Sequence, residues 1–337
     1  MTTSSELNGS APMRWGVLGA TAAISRRVMP AITTADRAVL AAVAGRPQNA
    51  VRVAEVAAAH GTTARADYAA LLADPVIDAV YIALPNSQHV GWTLRALRAG
   101  KHVLVEKPMA LTAEDVRAVA AEAAEAGRTV MEAFMYRHHP QQQRAAELLA
   151  AGEIGELRVV RAAYAFRMGD DPADIRLAPA LGGGATWDVG CYAVDTALRY
   201  FGREPERVRA TLSRRPGAGV DTSGTAVLDF GGGRSAVLDY AMDYGPRSWL
   251  ELQGTHGSLT VADAWAGPCD DGVLTVRTGE GVREERIAAT DHYRLQVEAF
   301  GAAARGRAPA PVTTEDSLRA VRVLQAVFAS AAADGAP

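Results

Sequence analysis

Through Ala133 the chain alternates short, nearly unbroken apolar runs with helical stretches, and few folds accept that rhythm. The runs are residues 14–18 (Arg-Trp-Gly-Val-Leu), Val39–Ala44, Ile77–Ala83, His102–Val105 and Thr129–Ala133. Helical patterns over Ala22–Ile32, Gln48–His60, Asp67–Leu72, Ser87–Ala99 and Ala113–Ala126 separate them, and Pro30 predicts a break in the first. Strands without polar alternation must be covered on both faces, and intervening helices supply the cover. The expectation is a doubly wound parallel sheet.

After Pro140 the texture changes. A helix over Gln142–Ala151 leads to segments with two-residue periodicity: Leu157–Phe166, Val208–Ser213, Thr225–Phe230, Ser235–Met242, Trp249–Gln253 and Val273–Thr278. Helices are predicted at Cys191–Tyr200, His292–Ala304 and Glu315–Ala332. At about 150 residues per domain, 337 residues make two. The fold class is α/β: an N-terminal Rossmann domain over 13–135, then an α+β domain over 136–337 with a large, mostly antiparallel open sheet, after a disordered tail at 1–12. The helices cover one face of that sheet. The other is expected to bury against a second copy, giving a homodimer or homotetramer.

A formal net charge of −3 offers no basic field, so nucleic acid is not expected as a partner. No apolar run reaches about 18 residues, so no membrane span is expected. The opening Met-Thr-Thr-Ser-Ser-Glu-Leu lacks the basic start and apolar core of a signal peptide. Two cysteines, Cys191 and Cys269, build neither a disulfide framework nor a thiolate metal site, which fits the cytoplasm and no metal.

The first apolar run ends at Gly19, and the next helix opens on Ala20, Thr21, Ala22, Ala23 and Ile24. A glycine turn followed by free N–H groups at a helix start is how a dinucleotide pyrophosphate is held. The full G-x-G-x-x-G is absent, because Thr21 and Ile24 stand where glycines would, and an ordinary βα turn fits the same residues. After the second run comes Gly45-Arg46, with no carboxylate to take a ribose 2′-hydroxyl. A guanidinium there suits a 2′-phosphate, so the expected cofactor is NADP(H).

Of the 35 basic residues only Lys101 and Lys107 are lysines. An ammonium can give up a proton and a guanidinium cannot. Lys101 is read as incidental. Lys107 follows the fourth run, at the edge where open α/β sheets hold ligands, placed to stabilise a developing alkoxide and protonate it. Asp188 and Tyr192 are four apart at a helix start, on one face: Asp188 can orient Lys107 or cap the helix, and Tyr192 offers a phenol. Either Lys107 or Tyr192 can be the principal acid, and Lys107 is favoured.

Several stretches together resemble the Gfo/Idh/MocA oxidoreductase family: Leu84-Pro85-Asn86 with His89, Gly100-Lys101-His102-Val103, Glu106-Lys107-Pro108, Glu132-Ala133-Phe134-Met135-Tyr136, Leu181-Gly182-Gly183-Gly184, and Asp188-Val189-Gly190-Cys191-Tyr192. The resemblance covers nearly the whole chain past residue 13. It implies that Leu84, Pro85, Asn86, His89, Glu106 and Lys107 join the cofactor site, that the Lys107–Pro108 bond is cis, and that Lys107, Asp188 and Tyr192 carry the chemistry. Tyr136, Arg176 and Tyr293 are candidate substrate contacts. His138 and His139 are read as loop residues, and Ser87 and Cys191 lack the neighbouring base that nucleophilic catalysis needs.

The expected activity is NADP(H)-dependent hydride transfer to or from a sugar, as in sugar or nucleotide-sugar 3-ketoreductases. Alternatives are an aldose or dihydrodiol dehydrogenase, a reductase of a non-sugar ring ketone, and a non-catalytic sugar sensor on the same fold.

Overall fold

The computed structural model of the chain describes residues 11–169, 171–265 and 271–334. Most of the expected tail and Cys269 therefore lie outside the described residues. The first part runs β1 (Met13–Leu18), α1 (Ser25–Thr34), β2 (Ala38–Ala44), α2 (Ala50–Ala59), β3 (Thr63–Arg65), α3 (Tyr68–Ala73), β4 (Ala79–Ile82), α4 (Asn86–Arg98), β5 (His102–Val105), α5 (Ala113–Ala126) and β6 (Val130–Glu132). There follow α6 (Pro140–Ala150), β7 (Leu157–Arg167), α7 (Cys191–Phe201), β8 (Arg207–Ser213), β9 (Ser223–Asp229), β10 (Ser235–Ala241) and β11 (Asp243–Gly254). The chain closes with β12 (Gly257–Ala262), β13 (Gly272–Thr278), β14 (Gly281–Ile287), α8 (His292–Ala304) and α9 (Thr314–Asp334).

Strands β1 to β6 form one sheet in the order β3-β2-β1-β4-β5-β6, every neighbour parallel. The order reverses between β1 and β4, and in open α/β sheets ligands bind beyond the strand ends at that point. β4 and β5 are buried along their whole length, as their unbroken apolar runs require. The second sheet has eight strands in the order β14-β13-β12-β11-β7-β10-β9-β8. Only β7 and β10 pair in parallel. Both sheets are of the expected kinds.

By its contacts the chain forms two compact units. One comprises Met1–Ala110, Glu114–Met135 and Asp291–Thr314, and the other Leu111–Ala113, Tyr136–Thr290 and Glu315–Pro337. Helix α8, expected in the second domain, thus belongs to the first. Its apolar face packs on α1 and β2, with the Phe300 ring 5.1 Å from Trp15. Helical periodicity says that such a face exists, not which sheet it covers.

Pro30 does not break α1, which runs through it. Arg26, whose carbonyl loses its N–H partner, and Pro30 are both exposed, so water can meet that oxygen. Strands β3, β12 and β14 were absent from the sequence expectation. β14 (Gly-Val-Arg-Glu-Glu-Arg-Ile) is a mostly exposed, charged edge strand, and such an edge carries little apolar pattern. Among the described residues no helix is long and apolar enough to cross a membrane.

Candidate active site

The turn after β1 is held at both ends. Gly19 adopts φ +93°, and the N–H groups of Gly19 and Ala20 both donate to the carbonyl of Ala44 at 3.0 Å. A Cβ on Gly19 would stand 2.2 Å from the carbonyl oxygen of Ala83, so only glycine allows the ends of β1 and β4 to come this close. The hydroxyl of Ser25, buried and unflagged by the sequence, donates to the Gly19 carbonyl at 2.8 Å. Ala22 N–H also turns back to that carbonyl. Among the described residues the N–H groups of Ala23 and Ile24 meet no protein acceptor, and a pyrophosphate needs such donors.

Beyond β2, Gly45 and Arg46 border a cavity of about 160 Å³ with Ala50, Val53, Ala64, Arg65 and Ala66. A Cβ on Gly45 would press within 2.4 Å of Val53. Arg46 is exposed, whereas Arg65 is half-buried and fixed by the Asp74 carboxylate, with its Nε at 2.9 Å. Sequence reasoning missed Arg65. It lies in a strand of three residues, too short to read.

The segment carrying Lys107 is tied down from several sides. Tyr81, at the centre of β4, donates its hydroxyl to Glu106 Oε1 in a short hydrogen bond. The other carboxylate oxygen accepts the Lys107 N–H at 3.3 Å. Burial and the adjacent Glu106 carboxylate push the Tyr81 phenol well above its usual range, so it stays a donor. Met109 N–H donates at 2.8 Å to Glu132, a buried carboxylate closing β6. The Lys107–Pro108 bond is cis. A tyrosine and a glutamate inside apolar strands were the signal for Tyr81 and Glu132.

His89 is held by the backbone on both sides. Its ring is buried, with Nδ1 2.7 Å from the Pro108 carbonyl and Nε2 2.8 Å from the Leu84 carbonyl. It staples the end of β4 to the lysine turn. Burial lowers its pKa, with the two carbonyls acting in the opposite sense. Pro85 stands just before α4 and Asn86 begins it, at the reversal point of the sheet. Tyr293 lies in the first turn of α8, where the N-cap Asp291 accepts its N–H at 3.0 Å. Lys101 is not incidental either: its buried ammonium donates to the carbonyls of Asp74 and Ile77, each at 2.8 Å.

In the second unit the Gly182–Gly184 turn runs into a π-helical turn, Thr186–Gly190, continuous with α7. Helical structure therefore begins five residues earlier than the expected Cys191. Wide turns of this kind cluster at functional sites. Asp188 lies mid-turn, its N–H on the Gly184 carbonyl at 3.0 Å, and Tyr192 follows in the first turn of α7. The Tyr192 ring stands edge-on to Tyr164 and Tyr136, with centroids 5.3 and 5.9 Å away.

Tyr136 is fully buried, its hydroxyl shared between a short bond to Asp195 and one from Thr196 at 3.0 Å. Asp195 also takes both arms of Arg137. Tyr136 therefore packs against Tyr192 with its hydroxyl engaged inside the protein. Arg176 is engaged by Asp174, Nε at 3.0 Å and Nη2 at 2.6 Å, and feels the charge of Asp188. His138 and His139 are not loop residues. His138 closes a short 3₁₀ turn, and His139 caps α6 by accepting the Gln141 N–H at 3.2 Å. Among the described residues no three His, Cys, Asp or Glu side chains cluster as a metal site.

Two family patterns match this architecture. The oxidoreductase family with an NAD-binding Rossmann fold covers residues 13–134, and the Gfo/Idh/MocA C-terminal domain covers 142–260. The chain belongs to the Gfo/Idh/MocA oxidoreductase family. As such it is an NAD(P)-dependent oxidoreductase. It is 39% identical over 321 residues to an NADP(+)-dependent D-xylose 1-dehydrogenase of Haloferax volcanii, spanning 95% of this chain and 97% of that protein. It is 36% identical to a dTDP-3,4-didehydro-2,6-dideoxy-α-D-glucose 3-reductase of Streptomyces violaceoruber, over 87% of this chain and 85% of that one. A crystal structure of a 3-ketoreductase from Actinomadura kijaniata, in complex with NADP and TDP-benzene, superposes with a TM-score of 0.88 at 33% identity, covering 95% of this chain and 98% of that one. The Gfo/Idh/MocA fold thus extends along nearly the whole chain.

Proposed function

We propose that this oxidoreductase is a cytoplasmic, NADPH-dependent ketoreductase of a sugar, first of all of a nucleotide-linked keto sugar. The observation that carries the reading is the retained set of Lys107, Asp188 and Tyr192 in a chain that matches nucleotide-sugar 3-reductases along most of its length. NADP(H) over NAD(H) is supported by the cavity at Gly45 and Arg46, none of whose lining residues carries a carboxylate to repel a 2′-phosphate. Arg46 and Arg65 would hold that phosphate, and Gly19 with the opening of α1 would hold the pyrophosphate.

When bound, the nicotinamide supplies the hydride. As the carbonyl oxygen gains negative charge, the Lys107 ammonium stabilises it and hands over a proton, leaving the alcohol and a neutral amine. Asp188 and the phenol of Tyr192 are the other two groups to which the family resemblance gives a part in the chemistry. Glu106, Tyr81 and Glu132 aim the lysine segment.

A second reading, oxidation of an aldose at its anomeric carbon, is favoured by the 39% identity to the xylose dehydrogenase. NADPH consumption with dTDP-linked keto sugars, set against NADP+ reduction with D-xylose and other aldoses, decides between them. Turnover of the keto sugar supports the first reading, and turnover of aldoses alone replaces it with the second. Tight sugar binding with a flat absorbance trace in both directions would establish a sensor instead.

A further inference from the structure

The π-helical turn that presents Asp188 is fastened at both ends by residues outside the family motifs. Asp221 lies just before β9 with its side chain buried. One of its carboxylate oxygens accepts both the N–H of Thr186 at 2.7 Å and the Thr186 hydroxyl at 2.8 Å. Its backbone carbonyl accepts the Ala185 N–H at 2.9 Å. Three bonds from one residue therefore secure the entry to the turn.

The direction of the next bond follows from proton counting. A carboxylate has no proton to give, so the Thr186 hydroxyl donates to Asp221 and its oxygen is left to accept. Tyr240, whose hydroxyl lies 3.0 Å away, must be the donor. The same Tyr240 ring closes the far end of the turn, because a Cβ on Gly190 would come within 3.0–3.1 Å of three ring atoms. At the near end Gly184 adopts φ +118°, where a Cβ would stand 2.3 Å from Asp221 Oδ1. Glycines at both ends let Asp221 and Tyr240 sit directly on the backbone.

Burial raises the Asp221 pKa, and the two bonds from Thr186 and the charge of Arg214 oppose that rise. A carboxylate left in so buried a place is costly unless its bonds are kept. Its bonds go to the segment two residues before Asp188.

We propose that Asp221 is a positioning residue for the reaction: through Thr186 and Tyr240 it sets the π-helical turn that aims the carboxylate of Asp188. The inference rests on the assignment of Asp188 under the proposed function. Asp221→Asn keeps the volume but spoils the paired acceptance from Thr186, Thr186→Val removes the hydroxyl link, and Thr186→Ser retains it.

The test measures kcat and its pH profile, KM, NADPH affinity and Tm for these variants and for Asp188→Asn. Asp221→Asn and Thr186→Val are expected to lower kcat roughly tenfold to a hundredfold, as misplacement of a catalytic group does. They are expected to displace the apparent pKa of the kcat profile in the same direction as Asp188→Asn, with NADPH affinity within about twofold of wild type and Thr186→Ser recovering most of the loss. If Asp188→Asn itself leaves kcat and the profile unchanged, the proposed role of Asp188 fails. If Asp188→Asn moves them and Asp221→Asn and Thr186→Val only lower Tm, Asp221 is structural and this inference fails. Should Asp221→Asn not fold, Thr186→Val decides alone.

Discussion

In the proposed reaction Lys107 carries the heaviest chemical demand, because an alkoxide formed beside bound cofactor needs both a positive charge and a proton. Lys107→Met should leave NADPH binding nearly intact and cut kcat roughly a hundredfold or more, whereas Tyr192→Phe should cost less. Steady-state kinetics check this, and the order of roles inverts if the phenylalanine variant is dead and the methionine variant active. The cofactor preference lives at this scale too. Arg46→Asp should move preference towards NAD(H), and Arg65→Met should weaken NADPH about tenfold while sparing NADH, as loss of a charged hydrogen bond does. Equal effects on both cofactors, measured by fluorescence titration, would mean that neither guanidinium reads the 2′-phosphate. Lys107, Asp188, Tyr192, Gly45 and Arg46 were singled out from the sequence, since each stands at a telling place at a strand end or helix start. Arg65 and Asp221 were not: their meaning comes from partners distant in sequence, Arg46 in a shared cavity and Thr186 across a turn.

Buried histidines give individual elements a pH signature. In β5 the ring of His102 accepts the Thr129 N–H at 3.0 Å, and burial together with the Arg128 charge lowers its pKa to about 4. Burial and the charges of Arg137 and Arg199 lower His138 to about 4 as well. An unfolded histidine takes its proton near pH 6.5. Between pH 6.5 and 4 the unfolded chain therefore binds more protons than the folded one, and stability falls as the pH falls through that window, by at most about 3 kcal/mol per histidine. His102→Gln, which keeps an acceptor for Thr129, should shrink the drop in Tm between those limits; an unchanged drop would show that His102 is already charged in the folded state. The glycine turn before Asp188 offers a second test. A Cβ at Gly183 would stand 2.5 Å from the Arg176 carbonyl oxygen, so Gly183→Val must displace backbone. It should lower stability by about 1–3 kcal/mol and reduce turnover with it, read by denaturant titration and kinetics. At this scale the parallel strands were legible because burial on both faces leaves an unbroken apolar signature. The π-helical turn was not, since its extra residue is a property of backbone hydrogen bonds; nor was β14, whose exposed edge carries charges in place of a core face.

The molecule as a whole presents one more surface whose chemistry points to a partner. On the second unit α7 packs on β7 and β10, meeting β7 on the side of Tyr164, and the alternate residues of these strands face the other way. Register places Val237 opposite Val227 and beside Arg161, and Arg161 opposite Glu251. Val227 and Val237 are 43% and 38% exposed. The apolar area is smaller than the sequence alone led us to expect, because charges interrupt it. Six of those charges pair within the face: Arg161 with Glu251 at 2.8 Å, Arg207 with Asp229 at 3.0 Å and Arg247 with Asp239 at 3.3 Å. This internal pairing reduces the charge that the face would set against its own image, although Arg209, opposite Val227, adds a further guanidinium; a two-fold axis needs only a self-complementary patch. We therefore expect a homodimer formed sheet to sheet, burying on the order of 1,600 Å² in total if it is of standard size. Light scattering at micromolar concentration should give twice the chain mass. Val237→Arg, which sets like charges against each other across the axis, should return the monomer with NADPH binding preserved. A wild-type monomer under those conditions would remove the expectation altogether, and a dimer indifferent to Val237→Arg would move the interface to another face.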